Sequence, residues 1–368
     1  MIINTQAFNA RGKDARRIYM ELDQFGSRRP IDIISQTNPI IIIDEPQSVE
    51  GARTVENMQS FKPLLTLRYS ATHKKEYNKV YRLDALDAYN RKLVKKIQVK
   101  GINIKGSTGT SGYLYLEQII LSTTKPPVAL VEYEERTKSG VKRVRRKLEQ
   151  GTDLFELSGE MPQYQNYLLQ EIDGYFNKIV IGGQDVFSGD VIGDVDEAVF
   201  RRIQIRETIL SHIEKEKSLF EQSIKCLSLF FIDSVSKYRQ YDDEGEQLNG
   251  EYAQMFEEEY SSIVREEVQD LFISDSYKTY LLRDNESDVH NGYFSVDKKN
   301  KMVDPKTKHR SEDSDDLSAY DLIMKKKEIL LDLEETTRFI FSHSALKEGW
   351  DNPNVFQICA LKQSENTN

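Results

Sequence analysis

The pattern of apolar and polar positions gives residues 1–100 an alternating texture of short helical segments and apolar runs. Residues 39–43 and 64–69 are such runs and predict strands. A continuous apolar run that ends in acids is typical of a parallel strand buried on both faces. Residues 15–22 have a helical pattern, and residues 1–4 look like the end of another strand. This part is therefore predicted to be α/β.

Residues 101–198 have a different texture, in which short apolar segments are separated by turns rich in Gly, Ser and Pro. Strands of this kind are typical of antiparallel sheets. They are predicted at residues 102–104, 113–116, 128–133 and 179–181. We interpret this part as a small β-rich insertion.

Residues 199–368 return to an α/β pattern. Ile205, Ile209 and Ile213 recur at four-residue spacing, which predicts one apolar face of a helix. The remaining predicted elements are a buried strand at 224–232, an acidic helix at 241–270, a polar loop at 284–316, a helix at 318–333 and a strand at 339–341. The fold class is therefore α/β, with two partial parallel-sheet lobes and the β-rich insertion between them.

Composition narrows the class of protein. Hydrophobic residues make up 38% of the 368 residues and charged residues 30%, so the chain has both a core and a highly charged surface. A net charge of −9 disfavours a uniformly basic coat for nucleic acid, although a local basic groove is compatible with it. The two cysteines and five histidines have no metal-ligand spacing.

Hydropathy bears on the location of the protein. No apolar run approaches the ~20 residues of a membrane span. No basic-then-apolar signal segment opens the chain either. We therefore expect a cytoplasmic protein that does not contact a membrane.

The strongest chemical signal lies where the strand at 39–43 ends. Asp44 and Glu45 follow four isoleucines directly, and a parallel strand delivers its last side chains to the crevice where α/β folds bind ligands. Asp44 would hold the Mg²⁺ that bridges two phosphates of ATP, and Glu45 would orient and deprotonate the attacking water. Gln47 would sense the γ-phosphate by hydrogen bonding. A strand that simply ends in solvated acids is the alternative.

A second segment makes the nucleotide site a more specific prediction. Ser70 and Thr72 follow the strand at 64–69, and their separation from Asp44 leaves room for one helix and a return strand. Small hydroxylated residues at a strand end can hydrogen-bond an acidic site and report its state elsewhere. Taken alone, the triplet Ser70-Ala71-Thr72 is typical of an ordinary turn.

A third segment, residues 339–356, runs from an apolar strand into a turn that holds Ser344, Gly349 and Asp351. Together the three segments resemble motifs II, III and V of superfamily 2 helicases. In detail they resemble the helicase and restriction subunit of type III restriction–modification enzymes. Segments 203–209, 227–233 and 291–295 also look like the second motor lobe of that family, so the resemblance covers nearly the whole chain.

The resemblance implies two RecA-like lobes, with ATP in the cleft between them and DNA across them. Residues 1–100 would be part of the first lobe, 101–198 the insertion, and 199–368 part of the second lobe. Asp44 and Glu45 would take the catalytic roles described above. The other implied roles are coupling of hydrolysis to lobe movement by Ser70 and Thr72, and contacts near the cleft and the DNA by Ser344, Gly349 and Asp351.

Basic residues in the insertion are candidates for DNA contact. Arg143, Arg145 and Arg146 lie close together and would bind phosphates, with binding that weakens steeply as salt is added. A basic β-hairpin would act as a wedge or guide at the DNA junction of a translocating enzyme. Solvated charged surface is the alternative for this cluster.

The sequence contains no phosphate-binding loop of the Gly-rich type that ends in Lys-Ser or Lys-Thr. Residues 12–14 lack the earlier Gly and the hydroxyl, and residues 106–112 are Gly-rich but have no following Lys. The resemblance places motif I before Met1, and motif VI and the nuclease domain after Asn368. We therefore expect this chain alone to hydrolyse ATP negligibly.

By the resemblance, the intact enzyme uses ATP and Mg²⁺ to move along double-stranded DNA. It acts with a methyltransferase (modification) subunit that recognises the sequence. Two other classes remain open. One is a different superfamily 2 enzyme, such as a type I restriction motor or a repair helicase, and the other is a non-catalytic DNA-binding or scaffolding protein.

Overall fold

The computed structural model describes residues 2–3, 17–44, 46, 51–70, 78–105, 112–193, 195–270, 272–296, 301–303, 328–343 and 352–361. The chain forms two compact units, Met1–Val99 and Lys100–Asn368. Both units combine helices with parallel strands. The α/β fold class is thereby confirmed, and the parallel sheets are compatible with RecA-like lobes.

A two-stranded parallel sheet organises the first unit. Its strands are β1 (Ile40–Asp44) and β2 (Leu65–Tyr69), which confirms both predicted strands. Its described helices are α1 (Pro30–Gln36), α2 (Ala52–Gln59) and α3 (Ala85–Asn90). Proline at the first position begins α1, where its missing N–H costs no hydrogen bond.

The helix predicted at residues 15–22 is not formed by its described residues. A 3-10 turn occupies Arg17–Tyr19, and a second one follows at Asp23–Phe25. The chain then reverses at Gly26, whose φ of 63° suits glycine, so that Leu22 pairs with Arg28. Leu22 itself is extended, with φ of −123° and ψ of 132°, so the helix does not reach it.

The prediction that the first strand is buried on both faces is wrong. Ile43 is buried and Ile41 packs against the small core of the unit, but Ile40 and Ile42 are 55% and 66% exposed. The register places Leu65 beside Ile40 on the exposed face. Helices α1 and α2 contribute to the core on one face only, so the apolar run is half-covered.

The second unit begins with two sheets that account for the β-rich texture of residues 101–198. A five-stranded sheet contains β3 (Asn103–Lys105), β4 (Leu114–Ile120), β5 (Val128–Thr137), β6 (Gly140–Leu148) and β10 (Asp190–Ile192), in the order β3–β10–β4–β5–β6. A three-stranded sheet contains β7 (Leu169–Asp173), β8 (Lys178–Ile181) and β9 (Gln184–Phe187). A single helical turn, α4 (Leu154–Leu157), lies between β6 and β7.

An all-parallel sheet forms the centre of the rest of this unit. Its strands are β11 (Leu227–Ile232), β14 (His290–Tyr293), β17 (Phe339–Ser342) and β18 (Val355–Leu361), in the order β14–β17–β11–β18. The helices are α5 (Glu197–Phe220), α6 (Glu251–Glu267) and α7 (Asp275–Arg283). Two small hairpins pair β12 (Arg239–Tyr241) with β13 (Gln247–Asn249) and β15 (Ser295–Val296) with β16 (Met302–Val303).

Three predictions for this region need correction. The acidic helix is confined to α6, because its first residues form the β12–β13 hairpin instead. The polar segment 284–316 contains β14, whose strand pairing with β17 overrides its polar composition. The described end of the helix predicted at 318–333 is a 3-10 turn at Ile329–Leu331.

Aromatic side chains fill the core beside the parallel sheet. The ring of Phe341 stacks on Phe230 and Tyr238, with ring centroids 4.6 and 4.7 Å apart. The predicted apolar face of α5 packs into the same core through Ile205 and Ile209, among others. The four parallel strands are therefore held by a layer of helices, and their carboxyl ends are presented at one edge.

Candidate functional site

Asp44 and Ser70 lie at the same edge of the first sheet. Strands β1 and β2 run parallel, and Asp44 pairs in register with Tyr69, so Ser70 follows on the neighbouring strand. Asp44 is exposed and Ser70 is half-buried. The sheet thus brings together the acid and the hydroxyl residue that the sequence placed at a nucleotide site.

The other predicted nucleotide and DNA residues from motif-like segments fall outside the described residues. They are Glu45, Gln47, Thr72, Ser344, Gly349 and Asp351. Their roles therefore stay predictions.

The carboxyl edge of the second sheet also carries polar groups. Asp233 follows β11, and its Oδ2 lies 3.3 Å from Lys237 Nζ. Ser342 ends β17 beside β11 and is fully buried. Among the residues that the structure describes, neither Ser342 Oγ nor Asp233 Oδ1 has a hydrogen-bond partner, although such buried atoms are normally paired. This edge is therefore chemically suited to receive a further polar group.

The segment that resembles motif V is held at both ends. β17 and β18 lie on either side of β11, and all three strands are parallel. The connection from Ser342 to Val355 therefore returns from the carboxyl edge of the sheet to its amino edge. Asn352, near the end of the connection, is buried, and its Oδ1 accepts a hydrogen bond from the backbone N–H of Asn354 at 2.9 Å.

The predicted DNA-binding arginine Arg145 is engaged within the protein. Its Nε and Nη2 donate to the two carboxylate oxygens of Glu117, both at 2.8 Å, and its Nη1 donates to Glu266 at 2.9 Å. The side chain is only 16% exposed. Burial raises the pKa of Glu117, and the Arg145 guanidinium opposes that rise. This arginine links the insertion to α6.

Arg143 and Arg146 face carboxylates across the β5–β6 hairpin. Arg146 Nη2 lies 2.5 Å from Glu135 Oε2, and Arg143 Nη2 lies 3.6 Å from Glu134 Oε1. The Arg143 guanidinium also lies over the ring of Tyr113, 4.4 Å from its centroid. The cluster therefore has much less free positive charge than its sequence indicates. The signal was available, because acids on β5 alternate opposite the bases on β6.

A buried ionic network, which the sequence analysis missed, joins the insertion to α5. Arg206 Nε donates to Glu259 Oε2 at 2.7 Å, and its Nη1 donates to Glu132 of β5. The next residue of α5, Glu207, accepts hydrogen bonds from Tyr115 and Lys100. Arg206, Glu132 and Glu259 are buried, so removal of one of them would leave an unpaired charge inside the protein. The insertion and α5 are therefore bonded to each other through charged side chains.

A second buried cluster lies at the amino edge of the parallel sheet. Arg338 Nη1 donates to Glu216 Oε2 at 3.0 Å, and Tyr277 Oη donates to the same oxygen at 2.8 Å. His212 Nε2 lies 3.1 Å from Glu216 Oε1, and its Nδ1 lies 2.7 Å from Ser228 Oγ. The cluster connects α5, α7, β11 and the residue that precedes β17.

The charges of this cluster are set by burial and by each other. Burial would raise the pKa of Glu216, but Arg338 and His212 outweigh it and hold the pKa at about 2. Burial lowers the pKa of His212, and Glu216 opposes that shift. Glu216 is therefore ionised and His212 neutral near pH 7. The cluster stabilises the packing of the helices on the parallel sheet, and it lies away from the carboxyl edge of that sheet.

No group of three or more His, Cys, Asp or Glu side chains among the described residues could hold a metal ion. Magnesium is commonly held in proteins by one or two carboxylates together with substrate phosphates. Asp44 fits that donor chemistry, since it is an exposed carboxylate at the end of a parallel strand. No helix of the described chain is long and apolar enough to span a bilayer.

Three known proteins are similar to this chain. The Res subunit of the type III restriction–modification enzyme EcoP15I from Escherichia coli is 32% identical over 381 residues. The EcoPI Res subunit of Escherichia phage P1 is 32% identical over 377 residues, and the StyLTI Res subunit of Salmonella typhimurium 27% over 411 residues. No protein-family model and no solved structure match the chain.

The similarity covers the whole chain but only part of each relative. The alignments include 100%, 100% and 99% of this chain, and 35%, 35% and 37% of the relatives. The chain thus spans about a third of the length of these proteins. The resemblance indicated by the three motif-like segments is confirmed, and the chain is Res-like from end to end.

Proposed function

We propose that this chain is the motor segment of a type III restriction Res subunit, which couples ATP hydrolysis to movement along double-stranded DNA before cleavage. The observation that carries the proposal is the parallel register of β1 and β2. It sets Asp44 and Ser70 at one sheet edge, in the order expected for an ATP site. The whole-length similarity to Res subunits supports the same assignment.

Asp44 would be the Mg²⁺ ligand, and the metal, when bound, would neutralise charge on the phosphates of ATP. Glu45, the next residue, would orient the attacking water and accept its proton. Ser70 would follow the state of the acidic centre from the adjacent strand. Gln47 and Thr72 would complete the contacts around the phosphates and the coupling path.

The intact subunit would then use Ser344, Gly349 and Asp351 near the cleft and the DNA. The modification subunit would supply sequence recognition, and a nuclease domain elsewhere in the intact subunit would cleave. Arg143 and Arg146 remain candidates for phosphate contact, since their side chains are 34% and 50% exposed.

The test is an Asp44→Asn substitution in the intact subunit, assembled with its modification subunit. We expect DNA-stimulated phosphate release to fall by at least ~100-fold, because a carboxylate ligand is lost while the side-chain volume is kept. The matched control is Asp23→Asn, an exposed acid of the same unit. If Asp44→Asn retains more than half of the wild-type rate, Asp44 is not the metal ligand.

A second test measures ATP hydrolysis by this chain alone, for which we expect no activity. It contains no Gly-rich loop with a Lys-Ser or Lys-Thr pair, and that loop supplies most ground-state binding of phosphates. Phosphate release by the chain alone should therefore stay at background with and without DNA. Robust turnover by the chain alone would overturn this expectation. A non-catalytic DNA-binding role for the isolated chain is the second candidate that the missing loop favours.

A further inference from the structure

Two exposed aromatic rings form the tip of the hairpin between β7 and β8. Tyr175 is 88% exposed and Phe176 is 62% exposed. Their rings meet edge to face, with centroids 4.9 Å apart. Leu121, which is 66% exposed, lies against the turn that carries the two rings, since a Cβ added at Gly174 would lie 2.4 Å from Leu121 Cδ2. We call these three side chains, Leu121, Tyr175 and Phe176, the aromatic knob.

The knob is held in a fixed shape without burial of its rings. Asp173 Oδ1 accepts hydrogen bonds from the backbone N–H of Tyr175 at 2.9 Å and of Phe176 at 3.0 Å. Asn177 takes a left-handed conformation with φ of 52°, and its carbonyl accepts from Ser188 N at 2.9 Å. A preorganised turn that exposes large rings costs little ordering entropy when it docks.

The charged groups behind the knob are mainly acidic. Asp185 forms an ion pair with Lys178 at 3.0 Å. The hydrogen bond to Asp185 raises the pKa of Lys178, and the nearby charges of Asp185, Glu171 and Asp173 raise it further. The charges of three carboxylates therefore act on this one ammonium. We call these acidic residues, Glu171, Asp173 and Asp185, the rim of the knob. A net negative rim repels the phosphates of nucleic acid and is complementary to a basic protein surface.

We propose that the aromatic knob docks into an apolar pocket, bordered by basic side chains, on a protein partner. This inference rests on the proposed function, under which that partner is the modification subunit. Exposed Tyr and Phe on a rigid tip are typical anchors of protein interfaces, whereas base stacking on nucleic acid normally comes with a positively charged groove. Under this proposal, the insertion binds the modification subunit through the tip of the β7–β8 hairpin.

The experiment compares the full chain with a Tyr175→Ser, Phe176→Ser double variant. Binding to the purified modification subunit, and separately to a DNA duplex, is measured by titration calorimetry or biolayer interferometry. We expect the double variant to bind the modification subunit at least about tenfold more weakly, with DNA binding unchanged. Val141→Ser is the matched control, because Val141 is 55% exposed at the start of β6, in the separate β5–β6 hairpin of the insertion.

A charge variant tests the rim independently. Glu171→Lys should weaken binding to the modification subunit and make the remaining affinity less sensitive to salt. Unchanged thermal unfolding of each variant shows that the fold is intact, and the conservative pair Tyr175→Phe, Phe176→Tyr should restore binding.

Each other outcome overturns the proposal. Equal binding by wild type and double variant means that the partner docks elsewhere, while the proposed assembly survives. Loss of DNA binding alone assigns the knob to nucleic acid. If the wild-type chain does not bind the modification subunit, both this proposal and the assembly of this segment fail.

Discussion

The two parallel sheets contain strands of similar apolar character but bury them to different extents. In β1, Ile40 and Ile42 are 55% and 66% exposed, whereas Phe339, Ile340 and Phe341 of β17 are fully buried. Strand β17 has a neighbour on each side and apolar clusters on both faces, while β1 has one described neighbour. An apolar run therefore specifies a strand, but the layers around it decide how much is covered.

The largest effect should come from removing one ring from the covered sheet. Phe341→Ala is expected to lower the free energy of unfolding of the second unit by about 3–5 kcal/mol, because it opens a cavity beside Phe230 and Tyr238. Urea unfolding followed by pulse-labelling hydrogen exchange measures each unit separately.

The matched change in the other sheet is Ile42→Ala. Since this side chain is 66% exposed, we expect a loss below about 1 kcal/mol in the first unit. Losses of equal size in the two sheets would contradict the comparison, since they would show that the outer face of β1 is covered in solution.

An effect of intermediate size should come from acid. The pKa of Glu216 is about 2 in the folded protein, below its ordinary value of 4.5, and that of His212 lies below its ordinary value of 6.5. In both cases the unfolded chain binds protons first as the pH falls. Stability is therefore full above pH ~6.5 and lost on acidification, by roughly 3 kcal/mol for Glu216 between pH ~6 and 2.

Unfolding midpoints between pH 7 and pH 3 measure this loss in the second unit. A Glu216→Gln variant should start less stable, because Arg338 then lacks its charged partner, and should show a shallower dependence on pH. A variant with the wild-type slope would remove Glu216 as the source of the dependence.

The smallest effect on stability should come from polar substitution of the exposed face of β1 and β2. Ile42→Ser with Leu67→Ser should change the free energy of unfolding by no more than about 0.5 kcal/mol per site, because both side chains are already in contact with water. Binding of the dye ANS should decrease, since these residues form part of one apolar face. Unaltered ANS fluorescence would show that the dye binds elsewhere.

Local pattern predicted the parts of the fold that depend on local sequence. The strands β1, β2, β11 and β17 follow from runs of apolar residues, and the spacing of Asp44 and Ser70 correctly places both at one sheet edge. The sequence pattern predicts a loop where β14 lies, because His290, Asn291 and Gly292 carry no apolar signal. Its strand conformation comes from pairing with β17, which lies far along the chain.

The candidate site also combines features that local sequence predicts with features that depend on contacts distant in sequence. Asp44 could be selected from sequence alone because four isoleucines precede it. The pairing of Arg145 with Glu266 joins positions far apart in sequence, so no local pattern reveals it. The same is true of Arg338 with Glu216, whose partners meet only after α5 has packed beneath the parallel sheet.

The strand order β14–β17–β11–β18 has a consequence for synthesis of the protein. β11, at Leu227–Ile232, has both of its neighbours in segments that are translated much later, at Phe339–Ser342 and Val355–Leu361. At roughly 5–20 residues per second, the ribosome takes several seconds to deliver them. Both edges of β11 lack their native partners until β17 has been translated, and one edge lacks its partner until β18 follows. Chaperone protection on the nascent chain is therefore needed most between residues 233 and 361.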